Sequence, residues 1–205
     1  MKESESAALE HAPPNKGAGT QETIREGIIN SFQIINQVEA GLVNLAKNTV
    51  TETIKAAGTV ANEAVSVAGD VIKGTIAAAQ ELGSGLLDVT RSIAKGIILG
   101  VSEVGGDVVG AAGQTAREAV KGAANVGADV ALVARRAVDG IVEAMGQVGG
   151  NVNEVARAAA NGAIEAAGSI GENAASAVRW ILTGVVSGVK DVAGAALPGR
   201  QEPQP

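Results

Sequence analysis

The sequence predicts an all-α protein in which one amphipathic pattern repeats along most of the chain. Residues 22–197 can be written as sixteen rows of eleven residues without an insertion or a deletion. Eleven residues complete three turns at about 3.67 residues per turn, close to the 3.6 of a straight α-helix, so each column of the repeat keeps nearly the same direction around the helix. The alternation of apolar and polar residues by two, which marks a β-strand, is absent.

Two prolines bracket the repeat. No proline occurs between Pro14 and Pro198, and proline interrupts a helix because it lacks the backbone N–H group. We therefore predict one helical region, residues 22–197. Residues 1–21 and 198–205 are polar and have no apolar period to bury, so we predict that both are disordered tails.

The apolar columns of the repeat adjoin one another around the helix. Columns two, three, six, ten and eleven are mostly Ala, Val, Ile or Leu, and column seven is mostly small or aliphatic. These columns cover about half of the circumference, whereas a two-stranded coiled coil needs only a narrow seam. An arc this wide suits a flat apolar surface or several neighbouring helices. The residues that we predict to contact such a surface are Ile24, Ile28, Phe32, Ile35, Val38, Val60, Val71, Leu82, Ile93, Val104, Val126, Val148, Ile170, Ile181 and Val192.

Glycine pairs are the best candidates for bends in this helix. The pairs are Gly105-Gly106 and Gly149-Gly150, and glycine tolerates the backbone angles that a turn requires. The sequence leaves two architectures open: one very long helix, or a few helical segments and hairpins bent at the pairs. It also leaves open that these glycines only keep a packed helix face smooth.

The helix is weak by composition and needs a cover for its apolar arc. The chain has 28 Gly, one Phe, one Trp and no Tyr, and each glycine inside a helix costs about 1 kcal/mol relative to alanine. An external apolar surface can cover the arc and stabilise the helix. Packing of the helix on itself is the alternative, because Ala and Gly permit close approach of two helices.

Composition argues against catalysis, cofactors and nucleic-acid binding. The chain has no Cys and a single histidine, His11, so a metal site or a histidine-dependent triad lacks its other members. Its net charge of -6 and its lack of aromatics among basic residues do not fit a nucleic acid. No apolar stretch is long enough for a transmembrane helix or a secretory signal. We predict a cytoplasmic protein that is not an enzyme and has no cofactor.

Trp180 departs from the pattern, because it occupies a polar column while Ile181 and Leu182 beside it lie on the apolar arc. It is a candidate anchor at an interface. A tolerated exposed aromatic residue explains it equally well.

An uninterrupted 11-residue amphipathic repeat with Thr, Val, Ala and Gly on the apolar arc resembles the lipid-surface repeat proteins, namely synucleins, perilipins and exchangeable apolipoproteins. It is also similar, as a functional analogue, to bacterial phasins. The resemblance covers residues 22–197 and implies a long amphipathic helix that coats a lipid droplet, a storage granule or a membrane. We therefore predict a peripheral surface-coating protein. The alternative is a self-associating helical scaffold, filament or bundle packed through small residues.

Overall fold

The computed structural model describes the backbone of residues 16–57, 61–82 and 85–195, and the side chains of residues 36–56, 64–81 and 85–185. The chain divides into two units, Met1–Val38 and Glu39–Pro205. The first unit contains the N-terminal part of the first helix, and the contacts described below belong to the second. The described residues form seven α-helices: α1 Lys16–Ala57, α2 Ala61–Leu82, α3 Leu86–Glu103, α4 Val108–Asn125, α5 Val130–Val148, α6 Val152–Ile170 and α7 Glu172–Ala195.

The all-α prediction is confirmed, but the chain is divided into helices rather than drawn out as one rod. Helix α1 begins at Lys16, before the predicted boundary at residue 22, and α7 ends at Ala195. The remaining residues of the predicted tails, 1–15 and 198–205, lie outside the described residues. For α3, α4 and α5, two rows of eleven residues make one helix and the turn that follows it.

Glycine ends these helices at intervals of 22 residues. Gly105, Gly127 and Gly149 follow α3, α4 and α5 with φ angles of 70°, 70° and 74°. This left-handed conformation is easy for glycine and costly for residues with a Cβ atom, so it stops a helix. The chain thus turns at both predicted glycine pairs, and also at Gly127, which the sequence reasoning did not select.

A polar residue begins each of the following helices. The Asp107 side chain accepts a hydrogen bond from the Gly110 N–H at 2.9 Å. Asp129 accepts from the N–H groups of Ala131 and Leu132 at 2.9 and 3.0 Å. Asn151 caps α6 in the same way. Because the first N–H groups of a helix have no partner within it, these side chains fix where α4, α5 and α6 start.

From α1 to α6, helices two apart along the chain pack side by side in the same direction. Residues 43 and 47 of α1 lie against residues 96 and 100 of α3, and residue 113 of α4 lies against residue 162 of α6. Short turns reverse the chain between α3 and α4, between α4 and α5, and between α5 and α6. We call α1 from Glu39, α3 and α5 the first layer, and α2, α4 and α6 the second layer; contacts between consecutive helices from α2 to α6 join the two layers. Helix α7 packs more extensively against α6 than against α5. This arrangement is an α-solenoid.

Glycine allows the closest helix contacts within each layer. We number the 22-residue repeat from the first residue of α3, α4, α5 and α6, so that Gly140 and Gly162 are both position 11. In α2 position 1 is Ala64, which lies 22 residues before the first residue of α3. A Cβ atom on Gly140 would overlap the Arg91 carbonyl oxygen, and one on Gly162 would overlap the Gly113 carbonyl oxygen. Arg91 and Gly113 are both position 6. The same backbone contact therefore recurs in both layers, one repeat apart.

The core between the layers consists of aliphatic side chains. Ile72, Ile97, Ile98 and Ile141 are fully buried, among many alanines and valines. A wide apolar arc suits this fold because a helix in the middle of a solenoid contacts both its layer neighbours and the opposite layer. The chain itself thus supplies the neighbours that the arc requires.

Candidate interaction surfaces

Ion pairs between parallel helices cover the outer faces of the layers. In the first layer the Glu143 carboxylate accepts hydrogen bonds from Arg91 and Lys95, each at 2.7 Å. In the second layer Arg117 donates to Glu165. Lys95 and Arg117 are both position 10 of the repeat, and Glu143 and Glu165 are both position 14. The ion pair between α3 and α5 therefore recurs between α4 and α6, one repeat later.

The carboxyl groups of α5 respond to these surroundings in opposite ways. Burial raises the pKa of Asp139, and the charges of Arg135 and Arg136 offset this only in part. Burial also opposes ionisation of Glu143, but the hydrogen bonds and positive charges of Lys95 and Arg91 together outweigh it and lower its pKa. Glu143 is therefore held as an anion that links α3 to α5.

The predicted surface-binding residues have different environments. Ile93 is only 2% exposed and lies in the core, whereas Val148 and Ile170 are 40% and 44% exposed. Val148 is the last residue of α5 and Ile170 the last of α6. Val38 is exposed, and four others are half-buried: Val71, Val104, Val126 and Ile181.

The remaining predicted surface-binding residues cannot be assigned an environment. Val60 lies outside the described residues. The others belong to helices whose side chains are not described at these positions: Ile24, Ile28, Phe32 and Ile35 in α1, Leu82 in α2 and Val192 in α7. The described residues therefore do not form one apolar stripe facing outwards.

Trp180 is the most exposed large apolar side chain among the described residues, at 80%. It lies on α7, the last described helix, where Val178 and Leu182 are buried against the rest of the chain. Leu45, at 61% exposed, lies on α1, the first described helix. The two most exposed large apolar residues thus belong to the two end helices.

The helices at the two ends of the second layer carry exposed charges without ion pairs. Asp70 and Glu81 of α2 are exposed, as is Arg157 of α6. None of the three forms an ion pair with a described residue, whereas Arg117 and Glu118 of the middle helix α4 both do. Along the second layer, unpaired charge is therefore found at the end helices.

The sequence reasoning missed the residues that define the 22-residue unit. These are Gly127, the caps Asp107, Asp129 and Asn151, and the close-contact residues Gly140 and Gly162. The signal was available, because reading the rows of eleven in pairs aligns Gly105, Gly127, Gly149 and Gly171 in one column and Asp107, Asp129 and Asn151 in another. A single row length of eleven mixes these residues with helical ones.

Within the described ranges, no three His, Cys, Asp or Glu residues come together as metal ligands. In the same part of the chain, no helix combines the length and the apolar character needed to cross a bilayer. Comparisons with known protein families, curated proteins and solved structures gave no match.

Proposed function

We propose that this chain is a non-enzymatic structural protein, a helical repeat scaffold that folds by itself and acts by binding proteins, including copies of itself. One observation carries the proposal: the apolar arc of the repeat is covered by the chain's own helices. Ile93, Ile97 and Ile141 are at most 2% exposed. A helix whose arc is already buried does not need an external surface in order to fold.

Folding in lipid-free buffer tests this proposal. We expect high helicity by circular dichroism and a cooperative thermal transition, because the two layers share one core. Adding a neutral-lipid emulsion should change the helicity little. A chain that is largely unfolded in buffer and becomes helical only on the emulsion would contradict the scaffold.

The second candidate is a peripheral coat on a lipid droplet, storage granule or membrane in the cytoplasm. Val148 and Ile170 favour it, because these aliphatic residues at helix ends are 40% and 44% exposed and can enter an apolar surface without unfolding the core. The double variant Val148→Asp/Ile170→Asp should then float less with oil emulsions, whereas Ser176→Asp, at an exposed polar position of α7, should float normally. Equal flotation of the two variants argues against the coat.

A further inference from the structure

We propose that copies of this chain associate head to tail, with α2 of one copy packing on α6 of the next and continuing the second layer. The inference rests on the proposed scaffold function and names its partner as a second copy of the chain. It follows from the contacts that the repeat makes within one chain and from the residues left open at its ends.

The contacts inside the chain define two complementary helix faces. A helix receives its layer neighbour with positions 6 and 10, such as Gly113 and Arg117 of α4. The neighbour presents positions 11 and 14, Gly162 and Glu165 of α6. Position 7 belongs to the presenting face as well. Gln114, at position 7 of α4, packs on Gly69 of α2, where an added Cβ atom would lie 3.1 Å from Gln114 Cγ.

At the ends of the second layer, the described residues at these positions are exposed. On α2 the presenting positions are Asp70, Gly74 and Ala77, all exposed. A Cβ atom added to Gly74 would meet nothing within 4 Å, whereas one added to Gly162, at the same position of α6, would overlap the backbone of Gly113. On α6 the receiving positions are Arg157 and Asn161, both exposed. The second layer therefore ends in a presenting face on α2 and a receiving face on α6.

The charges on these two end faces are complementary in the register that the repeat imposes. When α2 of a second copy takes the place of a following second-layer helix, its Gly74 lies over the Arg157 backbone. Asp70, at position 7, then faces the Arg157 side chain, at position 6. Neither residue has an ion-pair partner among the described residues of its own chain, so the contact supplies one for each. Opposite charges in register favour this packing over sliding of the two helices.

Such an interface joins two different faces of the same chain, so it is heterologous. Heterologous contacts produce open filaments, or rings where the rotation closes. We therefore expect a series of oligomers that grows with protein concentration, rather than a dimer that saturates.

Charge reversal with the full-length chain tests the interface. Sedimentation velocity of wild type at increasing concentration should show growing oligomers. Arg157→Asp and Asp70→Arg should each weaken association by about tenfold or more, because like charges then face one another. The double variant should associate again, as should an equimolar mixture of the two single variants. Lys121→Asp, on the outer face of the middle helix α4, should associate as wild type does.

A steric block at the interface provides a second, independent test. Gly74→Leu should prevent association without unfolding the chain, because the space around Gly74 is open. Gly146→Leu is the matched control, since Gly146 is also exposed and a Cβ atom there would meet nothing within 4 Å, but it lies on α5 of the first layer.

The outcomes separate this interface from the scaffold proposal. A wild-type chain that is folded but monomeric at every concentration overturns head-to-tail association and leaves the scaffold proposal standing. Association that survives Arg157→Asp and Gly74→Leu but is lost in Trp180→Ala overturns the proposed interface in favour of one at α7. A chain that is unfolded in buffer overturns the scaffold proposal itself.

Discussion

At the scale of single residues, glycine has two opposite energetic roles at the same repeat position. Gly140 and Gly162 touch the backbone of a neighbouring helix, so their Ala variants should lower the free energy of unfolding by about 1–3 kcal/mol through overpacking. The space around Gly74 is open. Gly74→Ala should therefore raise the free energy of unfolding by up to about 1 kcal/mol through helix propensity alone. Urea denaturation measures both changes. Equal effects at the three sites would contradict the close helix contacts.

The Thr115 hydroxyl is a buried polar group that stabilises nothing in this core. Thr115 is 0% exposed, and its Oγ1 has no hydrogen-bond partner among the described residues. Thr115→Val should raise the free energy of unfolding by about 1 kcal/mol, because an unsatisfied hydroxyl costs more to bury than a methyl group. Thr90→Val is the control, because the Thr90 hydroxyl donates to the Leu86 carbonyl at 2.7 Å. This variant should gain less stability than Thr115→Val or lose stability. Thermal melts of the two variants measure the difference.

Glu143 makes stability depend on pH in a defined direction. Its pKa is lowered in the folded chain despite burial, because Lys95 and Arg91 favour the anion. A lowered carboxyl pKa stabilises the fold at pH values above the unfolded pKa of about 4.3, and this contribution disappears as the pH falls through the lower folded pKa. Glu143→Gln should therefore melt below wild type at pH 7, and the difference should shrink in acid. A constant difference would show that the charge is not responsible.

At the scale of the helix, a capping residue and a left-handed glycine determine where each element begins and ends. Asp129 binds two N–H groups at the start of α5. Asp129→Ala should lower the free energy of unfolding by about 1 kcal/mol. Asp129→Asn retains an acceptor oxygen and should lose much less. Chemical denaturation of the two variants separates capping from any other effect of this turn.

At the scale of the whole molecule, the number of residues removed decides whether the layers survive. Deleting residues 108–151 removes α4, α5 and two turns, and leaves Asp107 directly before α6. Each remaining helix then stays in its original layer, so cooperative unfolding should persist with a smaller denaturant dependence.

Deleting residues 121–131 provides the contrast. It removes the turn between α4 and α5, although it keeps the row of eleven in register. We expect this shorter deletion to lower the melting temperature more than the longer one. Greater stability of the shorter deletion would favour a repeat of eleven residues without layers.

Helix formation and the amphipathic arc follow from local spacing, so the sequence alone predicts them. The period of eleven keeps apolar residues such as Ile93 and Ile97 on one side of any helix that includes them. The glycine pairs predicted two of the turns, because the backbone conformation of a turn also depends on the residues within it. These features do not require knowledge of which surface covers the arc.

What covers the arc was decided only by tertiary structure. The same pattern is compatible with a lipid surface or with neighbouring helices, because burial of apolar area is non-directional. The choice depends on Gly140 and Gly162, which meet backbone that is 49 residues away in each case, and on Glu143, which meets Arg91 at a separation of 52. Contacts at such separations have no local signature. The sequence by itself therefore determined the helices and their apolar faces, whereas the two layers and the open end faces were decided by packing between distant segments.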